Sequence, residues 1–208
     1  MKCKTLLLPV FILFTLALQA QKNSWYIGGN TGFANTSYKT ETNGANSNAG
    51  KISSWSLSPE IGTFLTNNLA VGLGVTFNGT KSDPQNNLFN TTKQTMTGVT
   101  AYTRYFFGKE AFKPFAGFNV SVLSGKGKTT SVSTNFETTT NSFGANLNAG
   151  FSYAVSKRVN VLGSMGFLGY RRTSSTQTGT DLKQITNEFG IDANSLGDRF
   201  NIGFYFTL

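Results

Sequence analysis

The sequence predicts an all-β chain, an eight-stranded antiparallel up-and-down barrel (a meander) that spans a membrane. Three observations carry this reading. Apolar and polar residues alternate along eight separate segments, the period of a strand with two unlike faces. The connections between those segments alternate between long and short. The chain of 208 residues is only 13% charged, with 13% aromatic residues and 23 glycines, whereas an average soluble domain is about 25% charged.

Residues 1–20, MKCKTLLLPVFILFTLALQA, begin with Lys2 and Lys4, continue through an apolar run from Leu6 to Leu18 and end on Ala20. This is the plan of a secretory signal peptide, and cleavage is expected after Ala20. An uncleaved anchor is the alternative, disfavoured because a transmembrane helix needs roughly 20 apolar residues. Cys3 precedes the apolar run, whereas a lipid-bearing cysteine would follow it. Residues 21–208 are then the barrel domain, exported yet without a cysteine, so no disulfide framework supports it.

The strands follow in order. SWYIGGNTGF (24–33) puts Trp25, Ile27, Gly29, Thr31 and Phe33 on one face, and SWSLSPEIGTFL (54–65) does the same with Trp55, Leu57, Pro59, Ile61, Thr63 and Leu65. LAVGLGVTF (69–77) aligns Leu69, Val71, Leu73, Val75 and Phe77; VTAYTRYFF (99–107) aligns Val99, Ala101, Thr103, Tyr105 and Phe107. AGFNVSV (116–122), FGANLNAGFSYAV (143–155) and VNVLGSMGF (159–167) continue the pattern. FNIGFYFTL (200–208) completes it, with Phe200, Ile202, Phe204, Phe206 and Leu208 on one side and Asn201, Gly203 and Tyr205 toward the lumen. The opposite faces are small and polar, rich in Gly, Ser, Thr and Asn. Within these spans their only charges are Glu60 and Arg104, and the apolar faces carry none. A cation facing lipid at the midplane would cost roughly 2–4 kcal/mol.

The connections TNN (66–68), GKEAFK (108–113) and SKR (156–158) are short, and the polar stretches 40–51, 82–92, 129–141 and 174–194 are long. Short periplasmic turns and long extracellular loops are the plan of an outer-membrane barrel. Closure pairs every backbone group and leaves no open edge in lipid. The last strand should therefore pair with the first. Pro59 has no N–H to give a ladder, so a bulge or an unpaired position is expected there. Aromatics near strand ends, among them Trp25, Tyr26, Trp55, Phe106, Phe107, Phe112, Phe115, Tyr153, Tyr170, Phe204 and Phe206, are expected in girdles at the membrane interfaces.

The chain resembles the small outer-membrane β-barrel proteins of Gram-negative bacteria, related in plan to OmpA-type and OmpX-type barrels. LSPEIGTFLTNNLAVGLGVTF (57–77), YTRYFFGKEAFKPFAGFNV (102–120) and AGFSYAVSKRVNVLGSMGF (149–167) resemble that family's hairpins. The resemblance implies a barrel without a peptidoglycan-binding domain, and a monomer is expected. It also implies that Phe200, Ile202, Phe204, Phe206 and Leu208 form the signal read by the barrel-assembly machinery. The match departs from the family in ending on Leu208 where an aromatic residue is usual. Enzymes among such barrels generally rely on a histidine, and this chain has none.

Catalysis and metal binding by His or Cys are excluded by the lack of His and of any cysteine beyond Cys3. No cofactor is expected. SGKGKT (124–129) suggests a phosphate loop, but the glycine required five places before Gly127 is replaced by Val122. Glu60 and Arg104 both point into the lumen near the turn end. Either they pair there, as a guanidinium and a carboxylate can through two parallel hydrogen bonds, or each meets other polar groups; both roles are structural. Lys39, Lys51, Lys81, Lys93, Lys126, Lys128, Arg171 and Arg172 lie toward the long-loop side, at the level of lipopolysaccharide phosphates. Solvated loop charge is the alternative. Nucleic acid is not an expected partner: the net charge is +9, but the basic residues are not gathered in one patch with aromatics. The expected function is non-enzymatic, structural or surface-interacting through the loops. The alternatives are a narrow, porin-like channel for ions or small solutes and a secreted soluble barrel that binds a ligand.

Overall fold

Each alternating segment of the sequence is a strand, and the first seven strands run beyond the apolar stretch that announced them. The computed structural model describes residues 24–42, 45–84, 91–108, 110–130, 135–179, 182–191 and 201–208. The leader read at 1–20 and Phe200 lie outside them. The strands are β1 (Trp25–Thr42), β2 (Ala45–Phe64), β3 (Leu69–Asp83), β4 (Thr91–Phe106), β5 (Phe112–Thr130), β6 (Asn135–Ala154), β7 (Val159–Gln177), β8 (Lys183–Ile191) and β9 (Asn201–Thr207).

Consecutive strands pair antiparallel from β1 to β7. Closure comes from β9, which lies between β1 and β7: Ile27 stands opposite Phe206 on one side, and Val161 opposite Phe204 on the other. β8 pairs with the far half of β7, from Leu168↔Ile191 to Thr176↔Lys183. The eighth stave of the barrel is thus made of two pieces, β9 at the turn end and β8 at the hairpin end.

The stretches 40–51, 129–141 and 174–194, expected as long loops, are largely ladder. β1 reaches Thr42 before β2 begins at Ala45, β5 reaches Thr130 before β6 begins at Asn135, and β8 occupies 183–191. Thr, Ser and Asn on both faces show no hydrophobic period, yet the backbone pairing of an antiparallel hairpin does not need one, and Thr favours strands. The asymmetry between the ends remains. At the short end, two turns use one device. Thr66 Oγ1 accepts hydrogen bonds from the backbone N–H groups of Asn68 (3.2 Å) and Leu69 (3.0 Å). Ser156 Oγ accepts from Arg158 (3.3 Å) and Val159 (3.1 Å). A hydroxyl that caps its own turn makes a tight connection.

Two irregularities set local facing. Leu147 pairs with Leu168 and Asn148 with Gly166, so β7 holds one extra residue between them. The bulge switches parity along β7: Arg171 stands opposite Gly144, on the lumen face, and Arg172 opposite Phe143, on the outer face. At Pro59 the β2–β3 ladder skips Ser58 and Pro59, pairing Leu57 with Phe77 and Glu60 with Gly74 in the same register. A proline lacks the donor that such a pairing needs. On its other side Pro59 faces Gly29, where a Cβ would stand 2.5 Å from Ser58 O and 2.8 Å from Pro59 Cα. Only glycine fits that approach.

The outer face is apolar and open. Phe33, Leu73, Val99, Val122 and Phe204 are 73%, 55%, 59%, 54% and 61% exposed. An apolar surface that runs around a barrel is a lipid-facing belt.

Candidate functional site

The lumen is filled near the turn end by side chains that alternation points inward. Glu60 and Phe64 come from β2, Tyr102, Arg104 and Phe106 from β4, Phe115 from β5, Tyr26 from β1 and Tyr205 from β9. The structure brings Glu60 and Arg104 together: Arg104 Nη1 donates to Glu60 Oε1 at 2.6 Å, and Nη2 to Oε2 at 3.1 Å. Both side chains are buried, 9% and 6% exposed for Arg104 and Glu60. Arg104 Nη1 also donates to Tyr205 Oη at 2.9 Å. Its guanidinium carbon lies 4.1 Å from the Tyr102 ring centroid and 5.3 Å from that of Tyr205. Planar ring faces attract such a cation. The forked carboxylate contact is the strong form of an ion pair.

Aromatic rings pack beneath and around this pair. Tyr26 meets Tyr205 edge-on at 5.3 Å between centroids, and Phe106 meets Phe115 at 5.4 Å. Tyr102 Oη donates to Tyr26 Oη at 3.1 Å. Room for these phenols comes from glycines on neighbouring strands: a Cβ at Gly62 would stand 2.8 Å from Tyr102 Oη, and one at Gly72 would overlap the same group. Tyr26, Phe106 and Phe115, expected in a membrane girdle, are therefore lumen residues, each almost fully buried. Their parity, shared with Glu60 and Arg104 along the ladders, places them inside. Trp25, Phe107, Phe112, Tyr153, Phe204 and Phe206 are exposed on the outer side. Alternation places Tyr205 on the lumen face of the last strand, but neither it nor Tyr102 is singled out by the sequence as a partner of Arg104. The available signal was their position on the inward face, two residues from Arg104 in one case and on the closing strand in the other.

Below the plug lies a cavity of about 290 Å³ that Arg104, Lys113, Ser152, Asn160, Leu162 and Tyr205 help to line. Above it the lumen is polar. Asn119 donates to Asn146 at 2.9 Å, Gln94 to Thr140 at 3.3 Å, and the Thr140 and Ser175 hydroxyls meet at 3.2 Å.

The eight basic residues singled out in the sequence separate. Lys51, Lys81, Lys93, Lys126 and Lys128 are exposed, in phase with the lipid-facing residues of β2 to β5. Lys39 is at the far end of β1, opposite Asn48. Arg172 is exposed on the outer face, whereas Arg171 shares the inner face and lies 3.9 Å from Glu188. On β9, Ile202, Phe204 and Phe206 are exposed, as is Leu208 just beyond it. No group of three or more metal-ligating side chains occurs among the described residues.

Comparison with known proteins places these features. The outer membrane protein OprG of Pseudomonas aeruginosa superposes with a TM-score of 0.50 at 15% identity, covering 91% of this chain and 98% of that one. The Escherichia coli Outer Membrane Protein W gives a TM-score of 0.42 at 14% identity, over 89% of this chain and 98% of its own. Ail, the attachment invasion locus protein of Yersinia pestis, gives 0.42 at 12% identity, over 90% and 100%. The OprG likeness shows the fold alone. No curated protein matches the chain. The family model for the outer membrane protein beta-barrel domain matches residues 5–204. With an apolar belt outside, a polar and ionic lumen inside and a closed meander of eight staves, the chain belongs to the outer membrane protein β-barrel domain family, which puts it in the outer membrane and sets aside a soluble secreted barrel.

Proposed function

We propose that this chain is a non-enzymatic surface barrel. It holds its turn end and both termini on the periplasmic side and presents its strand-built hairpins outside the cell as an interaction surface. The observation that carries the reading is the filled lumen: the Glu60–Arg104 pair and its aromatic surround occupy the bore, which leaves the hairpins as the part able to meet partners. Small eight-stranded barrels are generally filled by their own side chains. The non-enzymatic reading is supported by a sequence without His and without Cys beyond position 3. The exposed Ile202, Phe204, Phe206 and Leu208 of the closing strand, with Phe200, serve as the assembly signal, and the leader at 1–20 is removed on export.

The test displays the chain on cells that lack it and measures adhesion to protein-coated and glycan-coated arrays. Trimming the β5–β6 hairpin should abolish any adhesion gained while leaving a heat-modifiable barrel. Adhesion that survives the trimming of every hairpin contradicts the reading. A narrow channel is the second reading, favoured by the cavity on the turn side of Arg104. Steady open steps in a planar bilayer would establish it and reject the plugged lumen.

A further inference from the structure

The outward stripes of β2 to β5 change character at one level. On β3 the stripe runs Leu73, Val75, Phe77, Gly79 and then Lys81; on β4 it runs Val99, Thr97, Thr95 and then Lys93. On β5 it runs Val120, Val122, Ser124 and then Lys126 and Lys128. In each case the first charge beyond the apolar belt is a lysine. The register aligns them further: Lys81 stands opposite Lys93, and Lys93 opposite Lys128. Directly opposed residues on one face of an antiparallel pair hold their Cβ atoms about 4.5–5.5 Å apart. Three ammonium groups thus form one row across three strands.

Like charges directly opposed destabilise a sheet. Among the described residues only one lysine of the row meets a carboxylate. Lys81 Nζ contacts Asp83 Oδ2 at 2.5 Å. Glu137 stands opposite Lys128 in the ladder, but among the described residues no carboxylate lies within 4.0 Å of Lys93, Lys126 or Lys128. Farther down the same outward stripes, beyond Gly79, Thr95, Thr97 and Ser124, stand the exposed apolar side chains Phe77, Val99 and Val122. A ligand that satisfies both levels carries closely spaced phosphates and acyl chains.

We propose that the Lys81–Lys93–Lys128 row, flanked by Lys126, is a binding site for the phosphates of a membrane glycolipid whose acyl chains lie along the apolar stripe beneath. Bridging phosphates turn the repulsion between the ammonium groups into attraction. In the cell this rests on the hairpin end facing outward, as proposed above. That orientation is tested separately by labelling intact cells with a membrane-impermeant amine reagent, so failure of one leaves the other standing.

The experiment uses the purified, folded barrel in zwitterionic detergent and titrates bisphosphorylated lipid A, its dephosphorylated form and inorganic pyrophosphate. The wild-type chain should bind the bisphosphorylated lipid at least tenfold more tightly than either of the other two. K81Q/K93Q/K128Q should lose that preference, and K113Q/K157Q/R158Q, which removes equal charge at the turn end, should keep it. Equal loss in both variants would mean that only net charge matters and would overturn the site. Pyrophosphate binding as tight as the lipid's would overturn the glycolipid assignment. In lipid-free detergent K93Q/K128Q, which leaves the Lys81–Asp83 pair intact, should unfold at an unchanged or higher urea concentration, because repulsion is removed; a lower midpoint would make the row structural and overturn the proposal.

Discussion

Arg104 grips Glu60 with both terminal nitrogens, at 2.6 and 3.1 Å, across a barrel interior that joins β4 to β2. Their exposure is low, so removing either partner leaves a buried charge without its counter-ion. Such losses typically cost about 3–5 kcal/mol. Glu60→Ala and Arg104→Ala should each lower the refolding free energy by that order, and the double variant by less than their sum. Urea unfolding from vesicles measures all three; strict additivity would contradict the coupling.

Gly62 bounds the space that the Tyr26 and Tyr102 hydroxyls occupy. A Cβ there would stand 2.8 Å from Tyr102 Oη and 2.5 Å from Tyr26 Cζ. Gly62→Ala should destabilise the barrel by about 1–3 kcal/mol, the range for overpacked interiors. Adding Tyr102→Phe should recover part of that loss by shortening the crowding side chain. The same urea series checks this, and full additivity would show that the alanine and the phenol do not meet.

Asp83 lies above the apolar belt, where a hydrogen bond from Lys81, joined by one from Thr91 at 2.9 Å, holds its carboxyl below the usual carboxylate range. Lys51 stands opposite it on β2, and Lys93 adds to the local positive field. With its folded-state pKa depressed, the contribution of Asp83 to stability is present at neutral pH. It is lost as pH falls through the folded-state value. Carboxyl NMR should show a titration midpoint below that of an isolated aspartate, moving upward in Lys81→Met. A midpoint unmoved by the substitution would contradict the cause.

Much of the fold is legible in the sequence because lipid and lumen impose opposite chemistry on alternate residues. Leu69, Val71, Leu73, Val75 and Phe77 announce β3 by themselves. The strand ends beyond the belt are silent for the same reason: along Asn135–Asn141 both faces are mostly polar, with Thr on each, so nothing separates them by polarity. β8 is hidden likewise, since its outward residues Lys183, Ile185, Asn187 and Phe189 mix classes. Glu60 and Arg104 were visible as lone charges on an inner face. Tyr205 was visible on the lumen face of the last strand, but its contact with Arg104 was not, because that contact crosses the barrel between strands that are not neighbours; Tyr102 gave no sign, because a tyrosine fits a girdle and a lumen equally well. The bulge that sends Arg171 inward and Arg172 outward has no sequence mark, since adjacent arginines give no phase.

Alternate residues of one strand, Val71, Leu73, Val75 and Phe77 against Ala70, Gly72, Gly74 and Thr76 on β3, face lipid and lumen. Single cysteines placed at each position from 70 to 77 of a Cys3-free chain, labelled with a fluorophore in vesicles, test it most directly. Quenching by a lipid-borne nitroxide should be strong at 71, 73, 75 and 77 and weak at 70, 72, 74 and 76. Quenching without a period of two, or uniform quenching by an aqueous agent, would contradict the barrel's placement in the membrane.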